Sequence, residues 1–200
     1  MNNLKIIGID GIDGTGKTSL IGKLVSDNEC FVLTTRRNPS SPYVNEMYRV
    51  IHTFKQDFTA LSLFVEDLFF RYEQLTSDKI ALADRTFISA MVFYKSISEL
   101  SRISDDNLYE RINEGLLKYP SQLSIFLLAS VERARERISK SGRPFAPVEE
   151  VPFLTSCDRH FREFNIAGDF LAVETDDLDE NEVYEKVHKK IIESGLDHLR

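Results

Sequence analysis

Apolar residues along this 200-residue chain follow two alternating rhythms. Five short runs, at 5–10, 30–34, 79–84, 123–129 and 170–174, are apolar almost without interruption, which is the pattern of parallel strands covered on both faces. After the first run, Leu20, Ile21, Leu24 and Val25 repeat at helical spacing up to a stop at Asp27-Asn28. The same spacing returns over 43–54, 58–75, 86–100, 105–118, 153–164 and 180–192, and again through the basic stretch that begins at Val131. Strands that alternate with helices predict an α/β fold with a parallel sheet in doubly wound form. No internal repeat, low-complexity run or long linker divides the chain, so a single domain over 1–200 is expected.

One helix breaks the amphipathic rule. The 58–75 segment carries Leu61, Leu63, Phe64, Val65, Leu68, Phe69, Phe70 and Tyr72, more apolar surface than one core-facing stripe needs. Either it is deeply buried or one side lines a pocket in which aromatics stack on a flat ligand. Asp67 and Arg71, at i and i+4, either pair with each other or point into that pocket.

The first strand and first helix enclose Gly11-Ile12-Asp13-Gly14-Thr15-Gly16-Lys17-Thr18, followed by Ser19. The spacing G-x-x-x-x-G-K-[ST] between a strand and a helix makes a phosphate cradle. Glycines let backbone N–H groups turn inward, Lys17 reaches the β- and γ-phosphates, and Thr18 offers a hydroxyl to Mg²⁺. The helix N-terminus adds partial positive charge. The third strand ends in Asp84, followed by Arg85; an acid there supports Mg²⁺ in phosphate-loop enzymes. Two arginines, Arg36 and Arg37, sit in a proline-punctuated loop at the carboxyl end of the second strand, where α/β proteins bind ligands. The 131–144 stretch adds Arg133, Arg135, Arg137, Lys140 and Arg143. Part of this set is a solvated helix face with glutamate partners. Its Ser-Gly-Arg-Pro end reads as a mobile turn suited to a lid over ATP, with Arg143, or Arg137, as the basic residue.

Composition narrows the class. The chain is 42% hydrophobic and 28% charged, with net charge −7, so a nucleic-acid or anionic-membrane partner is not expected, whereas small nucleotide ligands need only local arginines. Cys30 and Cys157 lack metal or redox spacing and read as two reduced thiols in a cytoplasmic protein. No apolar run approaches the roughly 18 residues of a membrane span, and no secretory leader is indicated. The inventory favours a small kinase over a GTPase, because no N-K-x-D guanine-reading motif occurs. A motor-type ATPase would carry a water-activating glutamate where Arg85 stands.

The loop Asp10 to Thr18, the Thr35-Arg36 and Leu63-Phe64 pairs, and Asp84-Arg85 with Ser89 resemble the thymidylate kinases in order and approximate spacing. That resemblance implies a P-loop kinase fold and ATP- and Mg²⁺-dependent phosphoryl transfer to a nucleoside monophosphate, dTMP first. It implies that Asp13 binds the acceptor's 3′-hydroxyl, Phe64 stacks on its base, Arg36 and Arg85 hold its phosphate with Ser89 nearby, and Asp84 serves the metal. Members lacking an arginine inside the phosphate loop supply it from the lid, here segment 138–150 with Arg143. Members are commonly dimers, so a homodimer is compatible.

The chain departs from that pattern in three places. The acid and glycines that follow the second-strand arginine are replaced by Arg37-Asn38-Pro39-Ser40. The thymine-reading arginine is Leu68, with Arg71 one turn on. The tyrosine nine residues after the motif's aspartate is Phe93, with Tyr94 adjacent. Two alternatives stay open: a deoxynucleoside kinase, which needs a glutamate base after the second strand, and a nucleotide-binding protein without kinase activity.

Overall fold

In a computed structural model, residues 4–34, 40–53, 58–76, 79–142, 146–166 and 168–197 are described. Five strands, β1 (Lys5–Asp10), β2 (Phe31–Thr34), β3 (Ile80–Asp84), β4 (Leu123–Leu128) and β5 (Asp169–Glu174), form one parallel sheet in the order β2-β3-β1-β4-β5. The eight helices among the described residues are α1 (Lys17–Asp27), α2 (Val44–Thr53), α3 (Thr59–Glu73), α4 (Phe87–Ser101), α5 (Asp106–Lys118), α6 (Val131–Lys140), α7 (Val151–Arg162) and α8 (Glu180–Glu193). A single 3-10 turn, Pro147–Glu149, precedes α7. Each predicted strand and helix is present, with ends displaced by at most two residues.

The strands are covered on both faces, as their unbroken apolar runs require. Alternation along the pleat divides the core into two layers. Ile6, Ala81, Ala83, Phe126 and Leu128 pack beneath α3, α4, α5 and α7, while Ile7, Ile9, Ile80, Leu82, Ile125 and Leu127 pack beneath α1 and α8. The apolar excess of α3 is mostly burial: Leu61, Phe64, Val65, Leu68, Phe69 and Tyr72 all lie in the first layer. One close approach marks the contact of α4 with α5: a Cβ on Gly115 would stand 2.3 Å from the buried Phe87 ring, so a larger residue there would have to displace that ring. No helix among the described residues is long and apolar enough to cross a membrane.

The register brings the chemistry together. Ile9 of β1 lies opposite Asp84 of β3, so the phosphate loop leaving β1 and the Asp84-Arg85 pair leaving β3 emerge side by side at the carboxyl edge of the sheet, where ligands bind in this architecture.

Candidate active site

The phosphate loop is shaped by three glycines in conformations that L side chains rarely adopt: Gly11 at φ 139°, Gly14 at φ 84° and Gly16 at φ 92°. Two of them are also sterically required. A Cβ on Gly11 would fall 2.1 Å from the Leu127 carbonyl oxygen, and one on Gly14 would fall 2.3 Å from the Ala134 carbonyl oxygen in α6. Gly16 is the N-cap of α1 and no side chain caps that end, which leaves the helix terminus to an anion. Lys17 curls back over the loop, its Nζ donating to the carbonyls of Ile12 at 2.6 Å and Gly11 at 3.1 Å. Thr18 and Ser19 are exposed.

These residues line a cleft of about 680 Å³ that runs to Arg133, Arg137 and Ile138 of α6 and to Thr175, Leu178 and Asp179 before α8, a volume suited to a nucleotide. Arg137 is not free to act as a lid residue. Its guanidinium donates to the Thr175 hydroxyl at 2.9 Å and the Thr175 carbonyl at 2.5 Å, which makes it a wall of the cleft. Arg143 and Arg36 lie outside the described residues.

Asp84 lines the same cleft. Its residue is 8% exposed and its Oδ1 is buried without a hydrogen-bond partner. A carboxylate oxygen in that state calls for a cation. With the Thr18 hydroxyl it offers two oxygen donors of the kind a hard divalent ion takes, the remaining ligands coming from phosphates and water. No cluster of three or more His, Cys, Asp or Glu that could hold a metal occurs among the described residues.

Arg85 takes a left-handed backbone, φ 71°, at a cost of about 1–2 kcal/mol for a non-glycine residue. Its N–H donates to the Ile9 carbonyl. Its guanidinium turns back over the phosphate loop, donating to the Gly11 carbonyl at 2.7 Å and to Asp13 at 2.5 Å. Asp13 is therefore drawn towards the β3–α4 junction rather than into the anion cradle. On its other side the Arg85 guanidinium lies 5.1 Å from the Phe93 ring centre, a cation–π distance.

The aromatic wall beside Arg85 is built from Phe64, Phe93 and Phe153. Phe93 lies 6.0 Å from Phe64 and 5.9 Å from Phe153, centre to centre. Tyr94 turns away, stacking on Phe58 at 5.1 Å and accepting a hydrogen bond from Asp105 N, so it cannot replace the tyrosine missing at Phe93. Phe153 carried no sequence signal, since only the fold brings α7 alongside α4.

Arg71 and Asp67 do pair. Nε and Oδ2 are 2.9 Å apart with both side chains almost fully buried. Arg71 also donates to the Thr34 carbonyl at the end of β2, and Asp67 accepts from Ser41 at 2.6 Å. Arg71 Nη2 is buried without a hydrogen-bond partner. Ser89, expected near the acceptor, is fully buried and donates to Asp10. Its place is behind Arg85, because the first turn of α4 points that side chain at the end of β1.

Among solved structures, a deoxyadenosine kinase from M. mycoides with products dCMP and dCDP bound is 20% identical, covering 94% of this chain and 98% of that one, with a TM-score of 0.70. The same kinase with bound dATP gives a TM-score of 0.71 at 20% identity, covering 94% and 99%. A thymidylate kinase from Candida albicans is 16% identical, covering 98% of this chain and 94% of that one, with a TM-score of 0.73. These likenesses bear out the P-loop kinase fold. No curated protein sequence matches significantly. The thymidylate kinase resemblance is supported at the level of the P-loop kinases. The deoxynucleoside kinase family model matches residues 7–199, nearly the whole chain, and the chain belongs to that family.

Proposed function

We propose that this kinase transfers the γ-phosphoryl group of ATP to a deoxynucleoside monophosphate, with dTMP the first candidate. One observation carries the choice of acceptor. β2 ends in Thr34 and continues as Thr35-Arg36-Arg37, without the carboxylate that an enzyme phosphorylating a sugar hydroxyl uses as general base. Arg71 donates to the Thr34 carbonyl at that same point while Asp67 neutralises it, so the net positive charge of this stretch is that of Arg36 and Arg37. Positive charge in place of a base suits an acceptor that already bears an ionised phosphate.

The donor phosphates lie on the cradle from Gly11 to Ser19, with the Lys17 ammonium moving from the loop carbonyls to the β- and γ-phosphates. Thr18 and Asp84 would hold Mg²⁺, which would supply charge neutralisation to the phosphates. Arg85 spans the space between the phosphate loop and the acceptor, where a guanidinium stabilises charge on the transferring group. Asp13 receives a hydroxyl of the acceptor sugar, and Phe64 with Phe93 packs against its base. Arg36 holds the acceptor phosphate and Arg143 closes from the lid. The net charge of −7 fits small nucleotide substrates in a cytoplasmic setting, without nucleic acid.

A second reading, phosphorylation of a deoxynucleoside, is favoured by the family to which the chain belongs and by the deoxyadenosine kinase neighbours. That reading needs a carboxylate to take the hydroxyl proton, and the stretch after β2 supplies none. An ADP-release assay with ATP over a panel of deoxynucleosides and their monophosphates separates the two. Turnover on monophosphates alone supports the first reading, and turnover on nucleosides alone replaces it with the second. ATP binding without turnover on any member indicates a nucleotide-binding protein without kinase activity.

A further inference from the structure

Asp10, the last residue of β1, is fully buried, and it neither lines the cleft nor has a role in the mechanism above. A buried carboxylate is costly unless it is satisfied. Burial pushes its carboxyl above the usual carboxylate range, and the donors from Ser89 and Thr86, with the Arg85 charge, pull it back only in part. Packing alone gives no reason to place an acid there.

Its hydrogen bonds do. Oδ1 accepts from the backbone N–H of Thr86 at 2.9 Å and the Ser89 hydroxyl at 2.5 Å, while Oδ2 accepts from the Thr86 hydroxyl at 2.8 Å. The Thr86 oxygen in turn caps α4 by accepting from Ile88 N. All three donors belong to the residue after Arg85 or to the turn it opens. The N–H of Arg85 is held from the other side by the Ile9 carbonyl. The left-handed residue is thus clamped at both of its peptide units by consecutive residues of β1. From this junction Asp84 lines the cleft of the phosphate loop, while the Arg85 guanidinium donates to the Gly11 carbonyl and to Asp13.

We infer that Asp10 is a positioning residue, whose carboxylate holds the Thr86 turn so that Arg85 keeps the left-handed conformation that carries its guanidinium across the phosphate loop. The inference rests on the phosphoryl-transfer reading for the consequence in rate, but not for the geometry.

A double-mutant cycle tests it. Asp10→Asn preserves shape and one acceptor but removes the charge and one lone-pair set. In the parent enzyme it is expected to lower kcat by about tenfold or more, with the KM for ATP changed by less than about twofold. In an Arg85→Ala background it is expected to lower kcat no further, because a residue that acts through Arg85 has nothing left to position. Equal losses in both backgrounds, an unchanged kcat in the parent, or a loss confined to ATP binding would overturn the inference.

A second arm needs no acceptor. Arg85→Gly adopts the left-handed conformation without cost, so the Tm change caused by Asp10→Asn is expected to be smaller in that background than in the parent. An identical Tm change in both backgrounds overturns the clamp even if no acceptor is ever found. Absence of turnover in the parent with the Tm coupling present overturns only the functional reading.

Discussion

The two sides of the site are built from different materials. The donor side is made of backbone: three left-handed glycines, an uncapped helix terminus and the carbonyls of Leu127 and Ala134 pressed against the loop. The proposed acceptor side is made of side chains drawn from the phosphate loop, the β3–α4 junction, α3, α4 and α7: Asp13 with Arg85, Asp67 with Arg71, and the Phe64, Phe93 and Phe153 wall. A backbone cradle recognises what every nucleoside triphosphate shares, and it changes only when the fold changes. A wall of side chains can be rebuilt one residue at a time.

The sharpest way to break this contrast is to remove the lysine that curls over the donor cradle. Lys17→Ala is expected to lower kcat by about 10³-fold with any acceptor, measured by ADP release; a loss that varied strongly with the acceptor would mean that the two sides are not separable. Next, Asp67→Ala leaves the Arg71 guanidinium buried without its partner, and such orphaning costs about 3–5 kcal/mol of stability. Thermal unfolding should show it, and ATP affinity per folded molecule should stay at the parent value.

Asp13→Ala is a smaller perturbation with a cleaner reading. It is expected to raise the acceptor KM about tenfold while the dissociation constant for ATP stays within about twofold of the parent. An equal loss on both substrates would place Asp13 on the donor side after all. The smallest effect belongs to a position remote from both. Glu99 is held below its usual range by the Ser156 hydroxyl, and further by Arg159 and His160. The stability it contributes is complete above its ordinary value of 4.5 and is lost as pH falls through its lower folded value. Glu99→Gln should flatten that acid limb slightly and leave the kinetics of both sides unchanged at neutral pH.

The same division explains what could be read in advance. Strand runs, helix spacing and the glycine-rich loop are local properties, and all lie where periodicity and motif place them. The Asp84-Arg85 pair was visible for the same reason. What was hidden depends on contacts distant in sequence. Ser89 looks like a site residue from its spacing, yet the junction turns it towards Asp10, 79 positions away. The pairing of Asp67 with Arg71 follows from i,i+4 spacing, but the Ser41 contact that orients Asp67 does not. The choice between Phe93 and Tyr94 was set by Phe58 and Asp105, which hold the tyrosine elsewhere. Arg137 lost its lid role to Thr175, at the far end of β5.

The contact between Gly14 and α6 also constrains the history open to this enzyme. Any side chain at position 14 would have to displace the Ala134 carbonyl, and its neighbour Thr15 is buried with its hydroxyl spent on Ile12. Neither place can gain a long basic residue by point mutation while the helix stays where it is. Placing an arginine at position 14 would require moving α6 first. The 2.3 Å that a Cβ at position 14 would leave to the Ala134 carbonyl thus ties the chemistry of the loop to the position of α6.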